Sequence, residues 1–213
     1  MSDIYNERPK PAVEKTSTGI HQVEESPYIQ LNEIISNQVE LEDGVLYLND
    51  EIETHTLFDL IMRIRRCLKY RESKEYKGTQ DAPLNLMINS PGGDIHEMMG
   101  IIDYIESLDI KVNMICRGKA FSAASVILTC GTGTRMMSKN STIMFHQASS
   151  MISGKLTDVT NTIDFVKQVE QDIYELLAKK TKKDAAWWKD NMRSDLFLTS
   201  SQALELGVVD QII

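Results

Sequence analysis

This sequence predicts an α/β fold with a largely parallel sheet, and two observations carry that expectation. Short β-favouring apolar runs alternate with apolar patterns of helical period three times between Val45 and Cys130, and strands that alternate with helices pair in parallel through right-handed crossovers. Two of the strand-to-helix connections are also alike: one passes through Ser90-Pro91-Gly92-Gly93 and the other through Gly118. At 213 residues the chain has room for one good core, not for two ordinary domains.

Each element follows from a local pattern. Met1 to about Ser26 is polar, carries Pro9 and Pro11 and shows no apolar period, so it reads as a tail or pro-segment ahead of a folded domain over 27–213. The tail lacks the apolar h-region of a secretory signal, and Asp3, Glu7 and Glu14 do not suit an Arg-rich transit peptide; the cytoplasm is the expected location. Val45 to Leu48 is a strand, after which Leu57, Leu60, Ile61, Ile64 and Leu68 recur as on one helix face. A charged loop from Arg71 to Asp81 leads to a second strand marked by Leu84, Leu86 and Ile88. It runs into Ser90-Pro91-Gly92-Gly93, where proline removes a donor and the glycines permit positive φ, so the turn can aim N–H groups into a shared space. Ile95, Met98, Met99, Ile102 and Ile105 form the next helix, with the methionines as core filler. A third strand covers Lys111 to Cys116, a sharp turn follows at Gly118, and Ser122 to Cys130 is a close-packed helix with a serine at its start. Thr142 to Phe145 is a further strand, with His146-Gln147 at its end. After a polar segment from Ser149 to Gly154, Leu156, Val159, Ile163, Val166, Ile173 and Leu177 share a near-heptad stripe on a long helix, suited to packing on a helix of this chain or of another subunit. Trp187 and Trp188 anchor a short helix. Thr199 with Gln202 makes a capping box, and Gly207 closes that helix before the apolar run Val208 to Ile213.

Composition narrows the function classes. The apolar share of 42% and charged share of 25% are those of a soluble globular protein, and no apolar run is long enough to span a bilayer. A net charge of −8 disfavours nucleic acid, and the densest basic cluster, Arg63, Arg65 and Arg66, falls on a helix face. Cys67, Cys116 and Cys130 lie far apart among apolar residues, as buried thiols in a reducing compartment would. No His/Cys/carboxylate spacing suggests a metal site, no phosphate-binding loop suggests ATP hydrolysis, and no Gly-x-Ser-x-Gly elbow suggests the α/β-hydrolase fold.

A serine at a helix start has a helix dipole and free backbone N–H groups beside it, which favour developing negative charge. The same position also suits a plain N-cap serine. A nucleophilic hydroxyl needs a neutral imidazole to take its proton, and the imidazole needs an acceptor to fix its tautomer. Of the four histidines, His21 lies in the tail, His55 at a helix start and His96 on an outer helix face; His146 alone ends a buried strand, where open α/β sheets collect chemistry. Spacing leaves Asp158, Asp164, Asp172, Asp184, Asp190 and Asp195 all open as the third member.

Four blocks together are recognisable. Met-Ile-Asn-Ser-Pro-Gly-Gly at Met87 to Gly93, Ile-Cys-Arg-Gly-Lys-Ala-Phe-Ser at Ile115 to Ser122, Ile-Met-Phe-His-Gln at Ile143 to Gln147, and Asp-Leu-Phe-Leu-Thr from Asp195 with Gly-Val-Val-Asp from Gly207 resemble the ClpP family of serine peptidases. The order and separations are similar from roughly Val45 to Ile213. The resemblance implies the repeated ββα spiral common to ClpP and crotonase folds, extended by a handle helix over about 147–182. It implies Ser122 as nucleophile, His146 as general base, Asp195 as the group orienting it, and the main-chain N–H groups of Gly93 and Ala123 as the oxyanion hole; Ser125, about a turn further on, is structural. It also implies a serine endopeptidase that cleaves unfolded polypeptides inside a homo-oligomeric chamber of heptameric rings, fed by a separate AAA+ unfoldase of the Clp type, without cofactor, metal, nucleic acid or membrane. The chain departs from the family's pattern at Arg193-Ser194, where an acidic residue and arginine often stand, and at Ala148, where proline is usual. Its handle keeps one glycine, Gly154, its loop from Arg71 to Asp81 is long, and nothing ahead of Val45 matches the axial pore segment.

Three competing readings use the same residues differently. A non-catalytic ring subunit would have no need of Ser122, His146 and Asp195 together. A specialised maturation protease would use them without an unfoldase. A crotonase-type acyl-CoA enzyme would place carboxylates where Ser122 and His146 stand.

Overall fold

The computed structural model describes residues 38–149 and 153–213, so the expected tail over 1–26, the domain start at 27 and His21 lie outside the described residues. After a short π-helical turn, Val39–Asp43, the chain forms β1 (Val45–Leu48), α1 (Thr56–Arg71), β2 (Leu84–Ser90), α2 (Ile95–Glu106), β3 (Val112–Phe121), α3 (Ala123–Thr129), β4 (Arg135–Met137) and β5 (Thr142–Phe145). Then follow α4 (Leu156–Lys180), α5 (Ala185–Asn191), β6 (Leu196–Leu198), α6 (Ser200–Leu206) and β7 (Gln211–Ile212). The strands make one sheet in which β1, β2, β3, β4 and β7 pair in that order, with β5 on β3 and β6 on β5. Every pairing is parallel except β5 with β6. This is the parallel α/β architecture that the alternation predicts.

Gly118 has a different job from the turn expected of it. It lies inside β3, which runs on to Phe121, and its φ of 99° bends the strand. Ahead of the bend Met114–Cys116 pair with β4, and beyond it Lys119–Phe121 pair with β5. A Cβ at this position would stand 2.6 Å from the side-chain oxygen of Asn89, so glycine alone lets one strand serve two neighbours.

The core lies between the sheet and the helices. Leu84, Leu86 and Ile88 of β2 are buried at alternate positions, as a period of two requires. All seven residues of α3 are buried, and this helix touches β3, β5, α2 and α4. Cys67, Cys116 and Cys130 are buried and free, as expected. Burial pushes the Cys116 thiol up to about 11 and the Cys130 thiol up to about 12, which keeps both protonated and unreactive.

Other local patterns have physical counterparts and some corrections. Arg63 and Arg66 do lie on α1, where both pair with the buried carboxylate of Glu40, Arg66 at 2.6 Å. Arg71, expected to open a loop, instead ends α1 and is buried, donating to the carbonyls of Gln80 and Ala82. Trp188 is fully buried with its ring 4.8 Å from that of Phe145, and its indole N–H donates to Thr181. The Thr199–Gln202 capping box is reciprocal, and Gly207 ends α6 at a φ of 76°. The short strands β4, β6 and β7 have no counterpart among the sequence expectations, because two or three residues carry no readable period.

Candidate active site

The sheet's pairing register brings the three scattered residues to one place. Ser122 follows the last residue of β3, and its backbone N–H donates to the carbonyl of Met144 on β5 at 2.8 Å. One residue beyond β5 stands His146. On the other side of β5, β6 is antiparallel with Phe145 opposite Leu196, so the next rung sets His146 opposite Asp195. The short strand β6 is therefore what carries the aspartate to the imidazole.

The resulting distances form a chain of polar contacts. His146 Nε2 is 2.7 Å from Ser122 Oγ, and its Nδ1 is 3.5 Å from Asp195 Oδ1. The first is a good hydrogen bond, and the second an ion-pair separation slightly beyond one. With its proton on Nδ1, facing the carboxylate, the imidazole leaves Nε2 to accept from the serine hydroxyl. The other open aspartates are committed elsewhere or stand on the outer face of α4. Asp184 caps Trp187 N, Asp190 pairs with Arg193, Asp164 pairs with Lys167, and Asp172 accepts from Gln168. Asp158 is exposed on the first turn of α4.

Ser122 is not a capping serine, although it occupies the N-cap position of α3. Its side chain makes no capping bond, and its backbone sits at φ 53° and ψ −124°, outside the regions ordinary residues favour. Apart from His55, it is the only non-glycine at positive φ among the described residues. The strain turns the hydroxyl away from its own helix and toward His146. Ser125 is fully buried and donates its hydroxyl to the Ser122 carbonyl at 2.6 Å, a structural clamp on that turn.

The glycine turn lies directly against this serine. A Cβ on Gly92 would come within 2.5 Å of the Phe121 carbonyl and 2.7 Å of Ser122 Cβ, so only glycine allows the approach. Ser90 fixes the turn by donating to the Asp50 carbonyl at 2.6 Å and accepting from Gly92 N–H at 3.1 Å. Ile52 bridges its far side, donating to Gly92 and accepting from Asp94. Among the described residues the N–H of Gly93 and that of Ala123, the first residue of α3, have no acceptor. Two free donors thus stand beside a turned-out hydroxyl.

A cleft opens next to Ser122, Ala123 and His146, walled by Ile95, Met98, Val126, Phe145, Ile173 and Met192. It also holds Gln147, the last residue of the Ile143 to Gln147 block, and Glu170 and Tyr174, which no sequence pattern singles out. Glu170 and Tyr174 are one helical turn apart on α4, a spacing that could have flagged them as sharing a face. Among the described residues no group of three or more His, Cys, Asp or Glu side chains is arranged to hold a metal. No described helix is long and apolar enough to cross a membrane.

Comparison with known proteins agrees with the architecture. The sequence model of the Clp protease family matches residues 41–213. Similar proteins include the ATP-dependent Clp protease proteolytic subunit 2 of Streptomyces coelicolor, 29% identical over 203 residues, covering 94% of this chain and 84% of that one. Another is the ATP-dependent Clp protease proteolytic subunit 4 of Streptomyces avermitilis, 27% identical over 203 residues, with 94% and 81% covered. The likeness to these relatives reaches well ahead of Val45, the point from which the motif blocks alone carry the resemblance.

Proposed function

The chain belongs to the Clp protease family, and from that premise we propose that it is a serine endopeptidase acting on unfolded polypeptides. The observation that carries this reading is the 2.7 Å contact between His146 Nε2 and the hydroxyl of a strained, uncapped Ser122. In this reading Ser122 Oγ attacks the peptide carbonyl as His146 takes its proton, and the oxyanion that forms accepts from the N–H groups of Gly93 and Ala123. Preorganised donors of this kind contribute about 3–4 kcal/mol each to acyl transfer. His146 then gives the proton to the leaving amine, and water repeats the sequence to release the acyl group. Asp195 holds the imidazole tautomer and offsets the charge that develops on it.

Domain and partners follow from the same premise. Residues 27–213 constitute the peptidase domain, with 147–182 as its handle, and copies assemble in the cytoplasm into heptameric rings that enclose the active serines. Proteins named as subunits of an ATP-dependent protease are among the relatives, which supports a separate Clp-type ATPase as the source of unfolded chains.

Labelling with a fluorophosphonate tests the chemistry. The assembled protein incorporates the probe on Ser122 and cleaves unfolded casein, whereas Ser122→Ala does neither. Absence of labelling in assembled wild-type protein would leave a non-catalytic ring subunit as the better reading. Cleavage with and without a Clp-type ATPase then separates an unfoldase-fed protease from a maturation protease.

A further inference from the structure

The cleft beside Ser122 has apolar walls and polar groups without partners, and the combination bears on which peptide bonds are cut. Tyr174 is 3% exposed, lines the cleft, and its hydroxyl has no hydrogen-bond partner among the described residues. Burial raises its pKa and the charge of Glu170 adds to the rise, while the Gln147 side chain and the charge of Arg193 oppose it. Glu170 uses one carboxylate oxygen, Oε1, to accept from Ala148 N–H at 2.9 Å. No ion pair engages it among the described residues, and within the cleft lining it is the only carboxylate, with no lysine or arginine. A carboxylate offers about four acceptor sites, so most of its capacity is unused.

Ala148 makes the carboxylate necessary in part. Unlike proline, alanine brings a backbone N–H to this position, and Glu170 satisfies it. An amide oxygen would do that equally well, so the bond to Ala148 does not account for a negative charge at an apolar cleft. Charge in such surroundings is tolerated when it meets an opposite charge.

Resting on the peptidase reading above, we infer that this cleft receives the side chain preceding the cut bond, and that Glu170 makes it select an aliphatic stem with a cationic tip, lysine or arginine. The stem lies along Ile95, Met98, Val126, Phe145, Ile173 and Met192, while the tip donates to the free oxygen of Glu170 and to the Tyr174 hydroxyl. A leucine covers the same walls but leaves the second oxygen of Glu170 and the Tyr174 hydroxyl without a partner, and sites built around polar partners discriminate strongly against substrates that lack them.

The test compares peptides that differ only in lysine or norleucine at that position, since norleucine keeps the stem and removes the nitrogen. Two readouts are taken: kcat/KM for cleavage by the wild-type assembly, and binding of fluorescein-labelled peptides to the Ser122→Ala assembly by anisotropy. Lysine is favoured at least about tenfold in both. Glu170→Gln, which keeps an acceptor for Ala148, reduces the preference to about twofold or less, and Tyr174→Phe reduces it by a smaller factor. Equal binding and cleavage of the two peptides, or a Glu170→Gln variant that slows both alike, would overturn the assignment and leave the peptidase reading intact. A lysine preference in binding without wild-type cleavage would instead overturn the peptidase reading and keep the pocket.

Discussion

At the scale of single residues, the site depends on one unfavourable backbone conformation. Holding a non-glycine residue at a φ such as the 53° of Ser122 costs about 1–3 kcal/mol. Glycine relieves that strain, so Ser122→Gly is expected to be more stable than Ser122→Ala by about 1 kcal/mol although both are inactive. Thermal unfolding of the two proteins in parallel checks this; an equal or lower midpoint for the glycine variant would mean the turn is not strained. Asp195 invites a different measurement, because in the proposed mechanism its 3.5 Å contact with His146 would orient the ring and not touch substrate. Asp195→Asn is expected to lower kcat by about ten-thousandfold with little change in KM, since an amide favours the wrong imidazole tautomer. Steady-state kinetics on a short peptide distinguish this from a structural loss, which would reduce the amount of active enzyme and leave its kcat per labelled serine unchanged.

At the scale of elements, what the sequence made legible tracks how many residues each signal spans. The 16 residues of α1, the 12 of α2 and the alternation of β2 repeat their periods often enough to be read. The four-residue β5 was legible because its apolar run ends at a histidine. The three residues of β6 were not, so the sequence alone could not choose Asp195 among six aspartates; the family resemblance chose it, and the register of β5 with β6 supplies the physical reason. Glu170 and Tyr174 escaped notice because they sit on a helix whose apolar stripe looked like ordinary packing. The same limit hid the clamp that holds β7, a strand of two residues. Arg135 on β4 donates to both carboxylate oxygens of Asp210, at 2.6 and 3.1 Å, and also to the carbonyls of Thr129 and Lys180. Burial alone would raise the Asp210 carboxyl, but the bound guanidinium outweighs it and holds the pKa below the usual carboxylate value. A lowered folded-state pKa stabilises the fold above the unfolded value of about 3.9, and that contribution disappears as pH falls through the folded value. Asp210→Asn is therefore expected to lower the melting temperature at pH 7 and to narrow its gap to the wild type at pH 3. A gap that stays constant between the two pH values would show that the loss is one of packing and not of charge.

At the scale of the whole molecule, α4 is docked at one end only. Ile173, Tyr174 and Leu177 are buried toward its C-terminus, whereas Leu156 is 83% exposed and Ile163 39% exposed toward its N-terminus. These residues belong to the near-heptad stripe that suits packing on a helix of this chain or of another subunit, and both remain exposed in the single chain. Burying a side chain of that size contributes about 1.5–3 kcal/mol, so in the proposed ring the stripe would supply a substantial part of the assembly energy. A glutamate at either position would have to be buried unpaired, which assemblies tolerate poorly. The double variant Leu156→Glu/Ile163→Glu is accordingly expected to sediment as a smaller particle than wild type. Its far-ultraviolet circular dichroism should be unchanged, because both positions face solvent within the single chain. Peptide cleavage should fall in the same variant under the proposed mechanism, since Asp195 is exposed in the isolated chain and neighbours that exclude water would strengthen its contact with His146. Unaltered sedimentation of the double variant would place the subunit contacts on another face of the molecule, and full activity in a smaller particle would show that one chain completes its catalytic site alone.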